Sequence, residues 1–425
     1  MLDIKFIEKN YEIIKDGIIK KGFNFDLDQF LILNSKRKSL IMELETIKAN
    51  KNKISKEIPT IKDKEEKEKL LNELKKLKDE EKNLEEEYKK IEEEFNIKIL
   101  QIPNPPDKDV PVGKDDSENV EYYRWGEIPK FNFELKDHIQ LGIDLDIIDF
   151  ERAAKISGSR TYFLKNEAAL LQNAILRFTI DFLISKGFNL IYSPFFVKEK
   201  AMIGTGYFPF GKEQSYHIEK DELFLIGTSE VTLMSYYSDE IINEKELPIM
   251  FAGISTCFRR EAGTYGKDTK GLYRIHQFEK IEQVIICKND KDESDKMHSF
   301  LLRNSCEILE KLNLPYRLVK VCTGDLGAGQ IKKDDIEVWM PSRNSYGETH
   351  SCSSFLDYQT RRSNIKIKSS DGKTYYPYSL NNTAIASPRI LIPILEINQQ
   401  EDGTIKIPEV LIPYMNGLKE IKRKK

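Results

Sequence analysis

A chain of 425 residues, 40% of them hydrophobic, is long enough to bury a sizeable core and to divide into two or three domains. Its 67 Lys and Arg against 70 Asp and Glu give a formal net charge of -3, which excludes a uniformly basic nucleic-acid binder and leaves phosphate contacts to locally basic surfaces. No run of eighteen apolar residues occurs, Met1 to Lys21 lacks a signal-type apolar region, and the five cysteines form no C-x-x-C pair; these features predict a cytoplasmic protein with no membrane span, no disulfide framework and no zinc.

After a short N-terminal piece, residues 34–100 are rich in Lys and Glu, free of glycine and carry one proline, a composition that predicts long helices. Apolar residues at Leu33, Leu40, Leu44, Ile47 and Ile54, then at Leu70, Leu74, Leu77, Leu84, Tyr88, Ile91 and Phe95, recur in steps of three, four and seven and predict a coiled-coil seam. Pro59, inside Ile58-Pro59-Thr60, removes a helical donor and restricts the residue before it, so the chain is expected to reverse there into an antiparallel hairpin. An arm of roughly 30 residues per helix would project about 45 Å. Between Lys36 and Lys56 stand seven basic residues against Glu43 and Glu45, a candidate RNA-facing surface. Periodicity alone leaves open an intermolecular coiled coil serving oligomerisation; the basic first helix favours RNA. A second basic cluster, Lys422 to Lys425, receives no role.

Gln101 to Pro106 and the Asp-rich stretch to Asn119 cannot continue a helix and mark the domain boundary. The expected division is 1–105 for an N-terminal domain with the arm, 106–121 for a connector and 122–425 for the main body. In that body a helical pattern from Ala168 to Lys186 alternates with β-rich runs at Asn189 to Val197, Ile249 to Phe258 and Lys280 to Cys287, which predicts an α+β fold.

The richest segment runs from Cys257 through Phe258-Arg259-Arg260-Glu261-Ala262-Gly263, crosses a polar glycine-containing loop, and resumes from Gly271 to Glu282. It parses as strand, loop, strand. Guanidiniums at Arg259 and Arg274 suit phosphate oxygens, and the Phe278 ring offers a flat face to a base. Any one such arginine, taken singly, is more often a surface ion pair.

Phe258 to Gly263 followed by Arg274 to Glu282 resembles the second signature motif of class II aminoacyl-tRNA synthetases, in its serine-specific form. Gly187 to Phe195 resembles the first motif, which in that family lies at the dimer interface. Asn381 to Arg389, leading into Leu395-Glu396-Ile397-Asn398-Gln399, resembles the third. Thr228-Ser229-Glu230 is similar to the serine-binding T-x-E, and Glu348 to Ser353 to the E-x-x-S-C-S segment. With Asp109 to Gly113 and the arm, the likeness to bacterial-type seryl-tRNA synthetases spans nearly the whole chain.

The resemblance implies a class II antiparallel-sheet body bearing a coiled-coil hairpin, and a ligase that forms an aminoacyl-tRNA ester through a seryl-adenylate. Arg259 and Arg389 are then the catalytic residues, holding ATP phosphates, with Arg259 also near the serine carboxylate. Arg260, Glu261, Arg274 and Ile275 line the nucleotide site and Phe278 stacks on adenine. Glu348 and Ser351 are the implied magnesium ligands, flanked by Thr349 and His350. Thr228, Glu230 and Glu282 bond the ammonium and hydroxyl of serine, with Ser229, Asn381 and Thr383 in the same pocket. The implied partners are tRNA(Ser), with tRNA(Sec) left open, and a second copy of the chain in a homodimer. The chain departs from the family pattern at Thr349-His350 and at Asn382 to Pro388, where glycines are missing; Thr383 keeps the hydroxyl. Prolyl and threonyl relatives typically add a C-terminal anticodon-binding domain, which is not expected here because only Glu401 to Lys425 follows the third motif.

Overall fold

The computed structural model describes residues 1–263 and 270–423; the polar loop after Gly263 and the last two residues of the basic tail, Lys424 and Lys425, lie outside the described residues. Two short helices, α1 (Ile4–Lys9) and α2 (Tyr11–Lys20), precede the arm, which is α3 (Leu27–Glu57) and α4 (Lys64–Ile99). Asp26 caps α3 by accepting from the Gln29 amide, and Asp63 caps α4 by accepting from the Glu65 and Glu66 amides. Between them Ile58–Thr60 is a single 3-10 turn, so the reversal expected at Pro59 is present.

The seam packs as its periodicity predicts, with Leu33, Leu40, Leu44, Ile54 and Phe95 buried. The basic stripe does not all face outward. Lys36 pairs with Glu87 at 2.7 Å and Lys48 with Glu85 at 3.2 Å, while Arg37 and Lys51 bridge to Glu92 and Glu81. Lys38 turns instead to Glu8 on α1, at 2.5 Å. Much of this positive charge therefore also zips the hairpin together, with Arg37 and Lys51 partly covered, while Lys36, Lys38, Lys48, Lys53 and Lys56 stay exposed.

The body is built on one eight-stranded sheet. Its strands in chain order are β1 (Val120–Trp125), β2 (Asn189–Tyr192), β3 (Ile249–Phe258), β4 (Gln277–Cys287), β5 (Tyr316–Lys320), β6 (Lys332–Met340), β7 (Ser345–Leu356) and β8 (Tyr378–Ser387). They lie in the order β1-β5-β6-β7-β8-β4-β3-β2, antiparallel throughout except for β2 beside β3. The expected run from Asn189 to Val197 is broken after Tyr192. Pro194 has no N–H to donate to a ladder, and Phe196–Lys198 joins a separate small sheet.

Helices Asn166–Ser185 and Lys291–Lys311 cover one face of the sheet. Leu171, Ile175 and Leu183 of the first and Leu301 and Ile308 of the second bury against Ile281, Ile285 and Ile385. Helix Asn166–Ser185 is long and apolar enough to cross a bilayer by length and composition, but these contacts make it a core helix. Alternation along β4 then sends Phe278, Lys280 and Glu282 to the opposite face, where the cleft opens.

Candidate active site

The cleft, about 440 Å³, is floored by β4, β7 and β8 and closed at one end by Arg259, just past β3. Two β-bulges decide which side chains reach it. In β7, Glu337 faces Glu348 while Ile336 faces His350, so one extra residue sits between. Glu348 and Ser351 are three apart and would point to opposite faces of a regular strand; the bulge puts both into the cleft. In β8 a similar irregularity at Ala384 lets Asn381, Thr383 and Ala386 share the cleft face.

One end is cationic. The Arg259 guanidinium lies 5.2 Å over the Phe278 ring and donates to the Gly227 carbonyl at 3.3 and 3.4 Å. Arg389 donates to the carbonyls of Tyr273 and Glu348, each at 3.0 Å, and lies 4.5 Å over the Tyr273 ring. Burial pushes the Glu348 carboxyl up, but Lys333, then Arg389, Arg259 and Arg274, outweigh it and bring the group below its ordinary value. Ile275 and Glu261 line this end, and Glu261 holds a left-handed φ of 51° and pairs with Arg274 at 3.4 Å. Arg274 itself, and the exposed Arg260, lie outside the lining.

The other end is acidic and enclosed. Glu230 and Glu282 are both buried, Glu230 accepting from the Gln359 amide at 2.6 Å and Glu282 from the Thr383 hydroxyl at 3.3 Å. Burial, reinforced by Glu282, raises the Glu230 pKa to about 7. Lys280 lies 2.5 Å from Glu282 and donates to the Thr228 hydroxyl at 2.7 Å. Thr228 and Ser229 stand behind the wall; the Ser229 hydroxyl bonds the Gly253 carbonyl at 3.4 Å.

Thr349 and His350 line the floor, with the Thr349 hydroxyl 2.7 Å from His350 Nδ1. Burial lowers the His350 pKa to about 4, leaving the ring neutral at ordinary pH. Glu348 and Ser351 offer hard oxygens on one face, a donor set suited to magnesium, which commonly binds one or two carboxylates and completes its shell with phosphates and water. Among the described residues no three His, Cys, Asp or Glu side chains converge as a metal cage.

Lys280, Lys333, Tyr273, Gln330 and Gln359 belong to the site but were not singled out from the sequence. Lys280 alone had a local signal, lying between Phe278 and Glu282 at period two. Gln359 reaches Glu230 across 129 positions of chain, and nothing local announces it.

Residues 214–398 match the family model of the tRNA synthetase class II core domain (G, H, P, S and T), and residues 1–106 match that of the seryl-tRNA synthetase N-terminal domain. The serine–tRNA ligase of Dictyoglomus thermophilum is 47% identical over 429 residues, covering all of both chains. That of Caldicellulosiruptor bescii is 48% identical over 418 residues, covering 98% of this chain and 99% of the other. The crystal structure of seryl-tRNA synthetase from Pyrococcus horikoshii complexed with ATP superposes with a TM-score of 0.93 at 37% identity, over the full length of both chains. A likeness this extensive, carried by the arm and the body alike, means that the chain belongs to the seryl-tRNA synthetase family of class II aminoacyl-tRNA synthetases.

Proposed function

We propose that the two ends of the cleft divide the work of one ligase, the cationic end holding ATP and the acidic end holding serine. The reaction is ATP-dependent ligation of L-serine to tRNA(Ser), through a seryl-adenylate, with release of pyrophosphate and AMP. The observation that carries the division of roles is that a single cleft is lined by Arg259, Arg389 and Glu348 and also by Glu230 and Glu282.

In the first step a serine carboxylate oxygen attacks the α-phosphorus, an O–P bond forms, and the bond to the β-phosphate breaks with pyrophosphate carrying off the electron pair. In the second, a terminal ribose hydroxyl of the tRNA attacks the acyl carbon and AMP leaves. No protein nucleophile takes part. Arg259 and Arg389 position the phosphates and oppose the charge that develops, and Phe278 supplies the stacking face for adenine, with Ile275, Glu261, Arg260 and Arg274 around it. Magnesium bound through Glu348 and Ser351 would neutralise phosphate charge. Glu230, with Asn381 beside it, takes the serine ammonium, and Glu282 and Thr383 take the hydroxyl. Thr228, behind the wall, accepts from Lys280 and from the Glu230 N–H, and so holds both of those groups toward the serine end. Buried polar groups expecting a hydroxyl are left unpaired by alanine, which is the basis of selectivity here.

The division of the chain at 1–105, 106–121 and 122–425 belongs to the same reading, with the arm gripping the long variable region of the tRNA. So does a homodimer through Gly187 to Phe195, supported by the exposed side chains of Leu190 and Tyr192 on the edge strand β2. The cytoplasm, where ATP, serine and tRNA meet, is the location that fits; charging of tRNA(Sec) is left open. The test is serine-dependent exchange of labelled pyrophosphate into ATP, beside threonine, alanine and cysteine, then charging of a total tRNA pool. Exchange with serine alone, followed by charging, is expected; exchange with none of the four would overturn the assignment of the cleft.

A further inference from the structure

One wall of the cleft is the glycine-rich turn Gly327-Ala328-Gly329-Gln330, which precedes β6 and has no regular structure of its own. Irregular backbone packed inside a protein needs partners for its carbonyls. Five consecutive carbonyls, Gly327 through Ile331, accept hydrogen bonds from residues far earlier in the chain. The Lys21 ammonium, at the end of α2, donates to Gly327 at 3.0 Å, to Ala328 at 3.3 Å and to Gln330. The Asn104 amide N–H donates to Ala328 at 2.8 Å, its side chain to Gly329 at 3.1 Å, and the Asp107 N–H to Ile331 at 2.8 Å.

Lys21 is 4% exposed and Asn104 also 4%, so water cannot substitute for either. The contact extends to a further lining residue, Phe210, whose ring Phe23 meets edge-on with ring centres 5.1 Å apart. We infer that Lys21 is a positioning residue for serine activation: with Asn104 it holds the Gly327–Gln330 wall in its binding shape, so that the N-terminal helices form part of the adenylating site as well as carrying the arm.

The effect falls on serine more than on ATP. Gly329 packs against the Tyr358 ring so closely that an added Cβ would come within 2.9 Å, and the next residue, Gln359, is the one that holds Glu230. The Gln330 side chain donates to the Ser353 hydroxyl at 2.8 Å, next to the same pocket. None of these groups touches the reacting atoms, so a loosened wall weakens binding without changing the chemical step.

The test uses the full-length enzyme with Lys21→Met, which keeps the stem and removes the donors, and Asn104→Ala as an independent second variant. In pyrophosphate exchange both should raise KM for serine about three- to tenfold, with KM for ATP and kcat changed less than about twofold. Hydrogen exchange should quicken at the amides of 327–331 in both variants, and the melting temperature of each is measured beside it, because carbonyls left without donors also cost stability. This inference rests on the cleft being the serine and ATP site, and exchange by the unaltered enzyme checks that separately. An unchanged KM for serine in both variants overturns it, as does a proportional loss in every constant together with a lower melting temperature.

Discussion

The Lys280 ammonium lies 2.5 Å from the Glu282 carboxylate, both side chains almost wholly shielded from water, and it is the one cation placed directly against the acidic end of the cleft among the described residues. Two buried carboxylates facing a small pocket would repel each other, and this pairing is what makes the arrangement tolerable. Removing one member of such a pair leaves the other buried without a partner. Lys280→Met should therefore lower stability by about 3 kcal/mol and raise KM for serine. Thermal melting beside pyrophosphate exchange checks both, and a variant as stable as the parent would show that the pair contributes little.

Glu230 predicts a pH dependence. Burial, with Glu282, raises its pKa to about 7, so in the free enzyme it is protonated below that pH and ionised above it. The serine ammonium favours the ionised form. Binding below pH 7 must expel a proton, and KM for serine should rise as pH falls, approaching about tenfold per pH unit well below the pKa. Glu230→Gln should have a high KM that no longer responds to pH between 6 and 8. A wild-type KM flat across that range would remove Glu230 from ammonium binding.

Arg389 donates to backbone carbonyls on both sides of the cationic end while standing beside Glu348. Arg389→Ala should reduce pyrophosphate exchange by about 10²- to 10³-fold, the scale for losing one preorganised partner of a developing charge. Filter binding of tRNA by the same variant should stay near the parent value. Exchange within a factor of about three of wild type would place Arg389 outside the transition state.

Excising the outer arm beyond Ile47 and Leu84, which face one another across the hairpin, tests the division of labour. The seam nearer the body, with Leu33, Leu40 and Phe95, remains to hold the stump together. Exchange should be retained and charging of tRNA should fall steeply. Normal charging by the shortened enzyme would end the assignment of the arm to RNA.

The arm was readable because its determinants are local: an apolar repeat, a lysine- and glutamate-rich surface and one proline. In β4, Phe278 was readable from its flat ring and Glu282 through the family motif; alternation at period two puts Lys280, which was not singled out, on the same side as both. The ion pairs that the basic residues of the first arm helix make were not legible. Whether Lys36, Arg37, Lys48 and Lys51 meet RNA or the facing helix depends on the register of two helices whose glutamates lie thirty or more positions away.

Sequence by itself determined the elements, the hairpin reversal and the list of chemically capable side chains, because propensity, periodicity and proline act over a few residues. Tertiary structure alone decided which of them converge. The bulge that brings Glu348 and Ser351 to one face, the reach of Gln359 to Glu230, and the hold of Lys21 on the carbonyls of the cleft wall each join segments far apart in the chain. Such contacts follow from strand register and domain packing, which are set by the whole core at once rather than by any short stretch of it.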